Sequence, residues 1–134
     1  MLDCLIIGDS IAVGTHMFRP ECVEYAKGGI TSNGWDKLYG KNNLTAESVI
    51  ISLGTNDWEN YNTFDKLEAI RMKITGKRVF WILPNQESKP QIYYYVKEVA
   101  KQFGDTTIET TRWQKDKIHP SWAGYKNIAE KTKE

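Results

Sequence analysis

Cysteine and histidine are scarce. The chain has two cysteines, Cys4 and Cys22, and two histidines, His16 and His119. No C-x-x-C occurs, so a structural zinc site, which normally wants about four clustered Cys or His ligands, is excluded. No apolar run approaches the roughly 20 residues that span a bilayer. Neither sign of charge dominates: 18 Lys and Arg against 17 Asp and Glu leave +1. That balance gives no support for nucleic-acid or membrane-surface partners. Hydrophobic residues at 40% against 26% charged exclude intrinsic disorder. The opening Met1-Leu2-Asp3-Cys4-Leu5-Ile6-Ile7 has no basic segment, and its apolar stretch is too short for a signal peptide. The expectation is a cytoplasmic protein in which Cys4 is a reduced, buried thiol rather than part of a disulfide framework.

What is present is enough for one domain over residues 1–134, with a real core. Strand and helix patterns alternate. Cys4 to Ile7 is a short apolar run ending at Gly8, and Cys22 to Ala26 is a weaker strand stopped by Gly28-Gly29. Thr31 to Tyr39 suits a short helix. Ser48 to Leu53 is a central strand ending at Gly54. Phe64, Leu67, Ile70 and Ile74 recur at helical spacing, with Gly76 as the stop. Val79 to Leu83 is a further strand, ended by Pro84. Ile92 to Phe103 is the cleanest amphipathic helix, closed by Gly104. Thr106 to Thr110 is a last short strand. Pro120 opens a helix with Trp122, Tyr125, Ile128 and Ala129 on its inner face. This alternation predicts a five-stranded parallel sheet with helices on both faces.

In such sheets ligands bind beyond the carboxyl ends of the strands. Small or polar clusters follow four of the five strands: Gly8-Asp9-Ser10 the first, Gly28-Gly29 the second, Gly54-Thr55-Asn56-Asp57 the third and, after a short loop, Asp116-Lys117-Ile118-His119-Pro120 the fifth. Ser10 is the candidate nucleophile. A serine hydroxyl needs a base to take its proton, and His119 is the better placed histidine. That base needs an acceptor on its other ring nitrogen, which Asp116 can supply from three residues earlier. The Ser10 N–H, a glycine N–H after the second strand and the Asn56 amide are candidate donors to an oxyanion. Taken singly, Ser10 reads as a helix N-cap, and Gly28-Gly29 and Asn56 as turn residues.

Together these residues resemble the SGNH hydrolases, the GDSL-type esterase and lipase superfamily. Gly8-Asp9-Ser10 resembles the first block, Gly28-Gly29-Ile30-Thr31 the second, Gly54-Thr55-Asn56-Asp57 the third, and Asp116-x-x-His119-Pro120 the fifth. The resemblance runs from Leu5 to about Ile128. It departs at Ile11, where the family usually has leucine, and in length, since most members are longer. It implies a flavodoxin-like three-layer α/β/α sandwich. It also implies a Ser10, Asp116, His119 triad and an oxyanion hole from Ser10, Gly29 and Asn56. Gly29 is chosen over Gly28 because the family often reads small-Gly-x-Thr there. No metal or organic cofactor is expected. The implied activity is hydrolysis of short-chain acyl esters, with acetylated carbohydrate as a substrate class. An acyltransferase would use the same triad.

Two rivals stand beside this reading. One is a non-catalytic carbohydrate- or protein-binding module on the same fold. The other is a flavodoxin or phosphate-binding protein, disfavoured because Asp9 puts an acid where a phosphate would sit. Asp9 and Asp57 are expected to support loops, and His16 to be a solvated surface residue. Trp58 and Trp113 are substrate-rim candidates, in a mixed aromatic and polar rim that includes Glu59 and Asn60. Trp122 is expected in the core. Tyr93-Tyr94-Tyr95 is expected to bury one ring, and Lys126 to Glu134 to be a solvated helix end.

Overall fold

The computed structural model describes residues 1–58 and 61–133, so Glu59 and Asn60 of the expected rim, and Glu134, lie outside the described residues. Five strands and five helices alternate: β1 (Leu2–Gly8), α1 (Ser10–His16), β2 (Val23–Ala26), α2 (Ser32–Tyr39), β3 (Thr45–Ser52), α3 (Thr63–Met72), β4 (Thr75–Ile82), α4 (Pro90–Phe103), β5 (Thr106–Ile108) and α5 (Trp122–Lys131). The sheet is parallel throughout, in the order β2-β1-β3-β4-β5.

The period of two along each strand sorts side chains to two faces. Leu5, Ile7, Val49, Ile51 and Trp81 point one way and meet α2, α3 and α4 through Trp35, Leu67, Ile70, Val96 and Val99. Ile6, Ile50, Phe80 and Ile82 point the other way and meet α1 and α5 through Ile11, Ala12, Tyr125 and Ile128. Each fully buried Leu or Ile contributes roughly 1.5–3 kcal/mol by leaving water. The result is the flavodoxin-like α/β/α sandwich expected from the sequence. Because β1 sits between β2 and β3, the chain reverses its direction of travel across the sheet there. That switch point is where a crevice opens at the strand ends.

Gly8 holds the crevice tight. Its φ is +141°, and a Cβ there would lie 1.8 Å from the Ser52 carbonyl oxygen of β3. No larger residue fits.

The structure departs from the sequence reading in several places. Cys4 and Cys22 form a disulfide, with S–S 2.02 Å and Cα–Cα 4.8 Å, so Cys4 is not a reduced thiol. The cause is strand register: Leu5 pairs with Val23, which brings the preceding residues side by side. Ile74 and Gly76 do not belong to α3. The helix stops at Met72, Ile74 is a buried residue leading into the strand, and Gly76 pairs with Ala46 inside β4. Trp122 is 65% exposed rather than core. It is in phase with Tyr125, but it opens the helix at the rim, and its ring meets Phe18 edge-on at 4.7 Å. His16 is half-buried, with Nε2 2.9 Å from the Cys22 carbonyl and Nδ1 3.4 Å from Glu24. Tyr93 is buried and Tyr94 exposed, with Tyr95 between them. No helix among the described residues is long and apolar enough to cross a membrane.

Candidate active site

The turn after β1 carries Ser10, and a neighbour frees it for chemistry. Asp9, not Ser10, caps α1: its Oδ1 accepts from the Ile11 N–H at 3.0 Å and from the Ser52 hydroxyl at 3.0 Å. Ser10 is therefore the first helical residue, half-buried, with its hydroxyl released from capping. Its Oγ lies 2.9 Å from His119 Nε2. His119 Nδ1 lies 2.7 Å from Asp116 Oδ2. The chain of contacts Asp116, His119, Ser10 is continuous.

Asp116 and His119 sit on a hairpin between β5 and α5. Trp113 and Pro120 form an isolated antiparallel bridge in its stem. The Ser121 N–H donates to the Arg112 carbonyl at 2.9 Å, and the Gln114 N–H to the His119 carbonyl at 2.8 Å. Gly124 lets α5 close on this stem, since a Cβ there would lie 2.4 Å from the Arg112 carbonyl oxygen. At the tip, Asp116 Oδ1 accepts from the N–H groups of Ile118 and His119, at 2.9 and 3.0 Å. The hydrogen bond from His119, with these two backbone donors, holds the Asp116 carboxyl down to about 2. It is an anion at every working pH.

The other two loops are laced together. Asn56 Nδ2 donates to the Ile30 carbonyl at 3.0 Å, which engages one of its two amide hydrogens. Asp57 accepts from the Ser32 N–H (2.8 Å), the Ser32 hydroxyl (2.6 Å) and the Thr63 hydroxyl (2.8 Å), the supporting role expected of it. The Thr31 and Tyr61 hydroxyls lie 2.9 Å apart. Gly28 and Gly29 are exposed, and Gly29 has φ +75°. A Cβ on Gly28 would lie 3.9 Å from Ser10 Cβ, so this turn passes beside the serine. The Ser10 N–H, in the first turn of α1, is one of those a helix leaves without an intrahelical acceptor.

Of the rim tryptophans, Trp58 is 72% exposed and packs against Tyr61 at 5.2 Å. Trp113 is half-buried in the hairpin stem. A cleft of about 220 Å³ adjoins Trp58, lined also by Asp57, Ser88, Lys89, Ile92 and Tyr95. A larger cleft of about 400 Å³ lies around Arg71, Gly76, Arg78 and Asp105, where β4 begins, away from Ser10. Two contacts escaped the sequence reading because they join separate loops: Tyr61 to Thr31, and Ser88 to the Lys117 carbonyl at 2.6 Å.

Asp9 is fully buried, and its Oδ2 has no partner. Burial pushes its carboxyl from 3.8 up to about 6, against the lowering effect of its hydrogen bonds. Burial also pushes the Tyr125 phenol up to about 12, with the charges of Asp9 and Asp116 adding to it. Between 3.8 and about 6 the folded protein keeps a proton on Asp9 that the unfolded chain has lost. Asp9 therefore favours folding at low pH. It opposes folding as pH rises through that window, by on the order of 3 kcal/mol once both states are ionised. Asp9→Asn keeps an acceptor for Ile11 and Ser52 but cannot ionise. Denaturant midpoints of both proteins, compared between about pH 4 and pH 7, should move in the variant's favour as pH rises. A constant gap would show that Asp9 ionises in the fold as it does in water.

No family model matches the sequence, and no curated protein resembles it in sequence. Solved structures do resemble it in fold. A Bacteroides fragilis protein assigned as an acylhydrolase superposes with a TM-score of 0.69 at 15% identity, covering 96% of this chain and 85% of that one. The C-terminal catalytic domain of Streptococcus pneumoniae peptidoglycan O-acetyltransferase A (OatA) gives 0.62 at 19%, covering 96% and 89%. A two-domain esterase (CEX) active on acetylated mannans gives 0.62 at 14%, covering 96% of this chain and 47% of that one. At these identities the likeness is one of fold.

Proposed function

We propose that the protein is a serine esterase of the SGNH type that hydrolyses short-chain acyl esters, with acetylated carbohydrate as its substrate class. The observation that carries this reading is the unbroken path from Asp116 to His119 to a Ser10 hydroxyl that caps no helix, at 2.7 and 2.9 Å. His119 takes the Ser10 proton at Nε2 as Oγ attacks the acyl carbonyl. The Asp116 carboxylate holds Nδ1–H and stabilises the imidazolium that forms. The N–H groups of Ser10 and Gly29 and the free amide hydrogen of Asn56 receive the developing oxyanion. His119 then protonates the leaving alcohol. Water, deprotonated in turn by His119, releases the acid and restores Ser10. A sugar hydroxyl in place of that water would make the same site an acyltransferase.

The acyl side of the substrate is expected to be small. The apolar runs lie in the strands and on the inner faces of the helices, which leaves none to line an extended acyl groove. The experiment is a series of p-nitrophenyl acetate, butyrate, octanoate and palmitate under non-micellar conditions, run beside fluorophosphonate labelling. We expect one adduct, on the peptide carrying Ser10, and the highest kcat/KM at acetate or butyrate. Folded protein that takes no label at Ser10 would overturn the hydrolase reading and favour a binding module. A maximum at octanoate or beyond would overturn the substrate class.

Asn56→Ala is expected to lower kcat by about 10²–10³-fold with a smaller effect on KM, as loss of an oxyanion donor does. The variant should fold, since Asn56 is half-exposed at the rim. A folded variant with the wild-type kcat would take Asn56 out of the mechanism.

A further inference from the structure

The hairpin that carries Asp116 and His119 is held at its tip by a loop from elsewhere in the fold. Lys117 has φ +57°, a left-handed conformation unusual for a long side chain. Its carbonyl accepts from the Ser88 hydroxyl at 2.6 Å. The N–H of the same peptide unit, that of Ile118, donates to Asp116 Oδ1 at 2.9 Å. One peptide plane is thus gripped at both ends, by Ser88 on its oxygen and by the triad carboxylate on its nitrogen. A donor on the carbonyl also polarises the peptide and strengthens its N–H as a donor.

Ser88 has a firm base. It lies in the loop between β4 and α4, where Asn85 is buried and its Oδ1 accepts from the Glu87 N–H at 2.9 Å. The Lys89 N–H donates to the Asn85 carbonyl at 2.8 Å. A second link to the tip, between Glu87 and the Lys117 ammonium at 2.9 Å, joins two exposed side chains, and such pairs contribute little. The Ser88 bond is exposed as well, but it falls on the peptide whose N–H binds Asp116 and so bears on the triad, whereas the ion pair ends on a side chain.

We propose that Ser88 is a positioning residue of the triad: through the Lys117–Ile118 peptide it fixes the Asp116 carboxylate, and with it the tautomer and tilt of His119. This rests on the catalytic reading of Ser10, His119 and Asp116. Ser88 itself touches none of the reacting atoms.

The test compares wild type with Ser88→Ala, Ser88→Thr and Glu87→Gln. Ser88→Ala should lower kcat for p-nitrophenyl acetate about tenfold, the effect of one lost hydrogen bond, with KM nearly unchanged. Ser88→Thr, which keeps the hydroxyl, should restore the rate, and Glu87→Gln should stay within about twofold of wild type. The low-field proton resonance of His119 Nδ1–H should shift or broaden in Ser88→Ala and return in Ser88→Thr. Ser88→Cys keeps the size and weakens the donor, and it carries the test if the alanine variant does not fold. A wild-type rate together with an unmoved resonance in Ser88→Ala would overturn the proposal. If the wild-type protein hydrolyses no ester and takes no label at Ser10, the esterase reading fails. The resonance, which needs no substrate, then decides the positioning role alone.

Discussion

Ser10→Ala is expected to lower kcat for p-nitrophenyl acetate by about 10⁴–10⁶-fold and to abolish fluorophosphonate labelling, while the protein stays folded. The two halves of this expectation come from one local feature. A serine that followed a strand and capped a helix would serve the fold, and its loss would cost about 1 kcal/mol of stability. Here Asp9 caps α1, and the Ser10 hydroxyl faces His119. Alanine at the first helical position keeps the helix and removes the attacking oxygen. Steady-state rates and thermal melts of the two proteins check both halves. Substantial residual turnover in the variant would place the nucleophile elsewhere.

Asp116→Asn is expected to lower kcat by about 10⁴-fold with the hairpin intact. Asn keeps an oxygen for the N–H groups of Ile118 and His119, so the turn that Asp116 Oδ1 ties should survive. At the other position it offers an amide N–H to His119 Nδ1 in place of an acceptor. The imidazole then takes the opposite tautomer, and Nε2 carries a hydrogen that bars it from receiving the Ser10 proton. Asp116→Ala should differ in kind, because it also unties the turn and so lowers stability. The wild-type carboxyl is held down to about 2, so it stays charged as the pH falls. Rates and melting points of Asp116→Asn and Asp116→Ala separate the two jobs. An Asn variant within about tenfold of wild type would show that the carboxylate is not needed to orient the base.

The elements that the sequence revealed best are those whose cause is local. The β-branched runs in β1 and β3 end at glycines, and α4 shows its inner face at helical spacing between Pro90 and Gly104. The clusters that hold Ser10, Asp116 and His119 were legible because the first directly follows β1 and the second stands just ahead of Pro120 and α5. Features set by how elements pair were not legible. The Cys4–Cys22 bond depends on the register of β1 against β2, which a sequence separation of 18 does not encode. Ile74 keeps the spacing of α3, yet Thr75 N–H already donates to the Leu44 carbonyl, so the strand has claimed the chain. Trp122 shares a helical phase with Tyr125, but phase says nothing about where the sheet ends beneath it. Ser88 sits in the loop between β4 and α4 with no motif around it, and its contact with the Lys117 carbonyl appears only when a hairpin from another part of the chain lies against it.

The hydrogen bond between Ser10 and His119 spans 109 positions of sequence. The serine is therefore made 109 residues ahead of the histidine it meets. Most of the sheet and four of the helices can be in place before the hairpin and α5 exist to meet them. Contacts this distant in sequence form late, because the loop they close must first lose its freedom. The proposed triad is therefore completed late in folding: a chain that has not yet made the hairpin holds Ser10 without its histidine, however much sheet it has built.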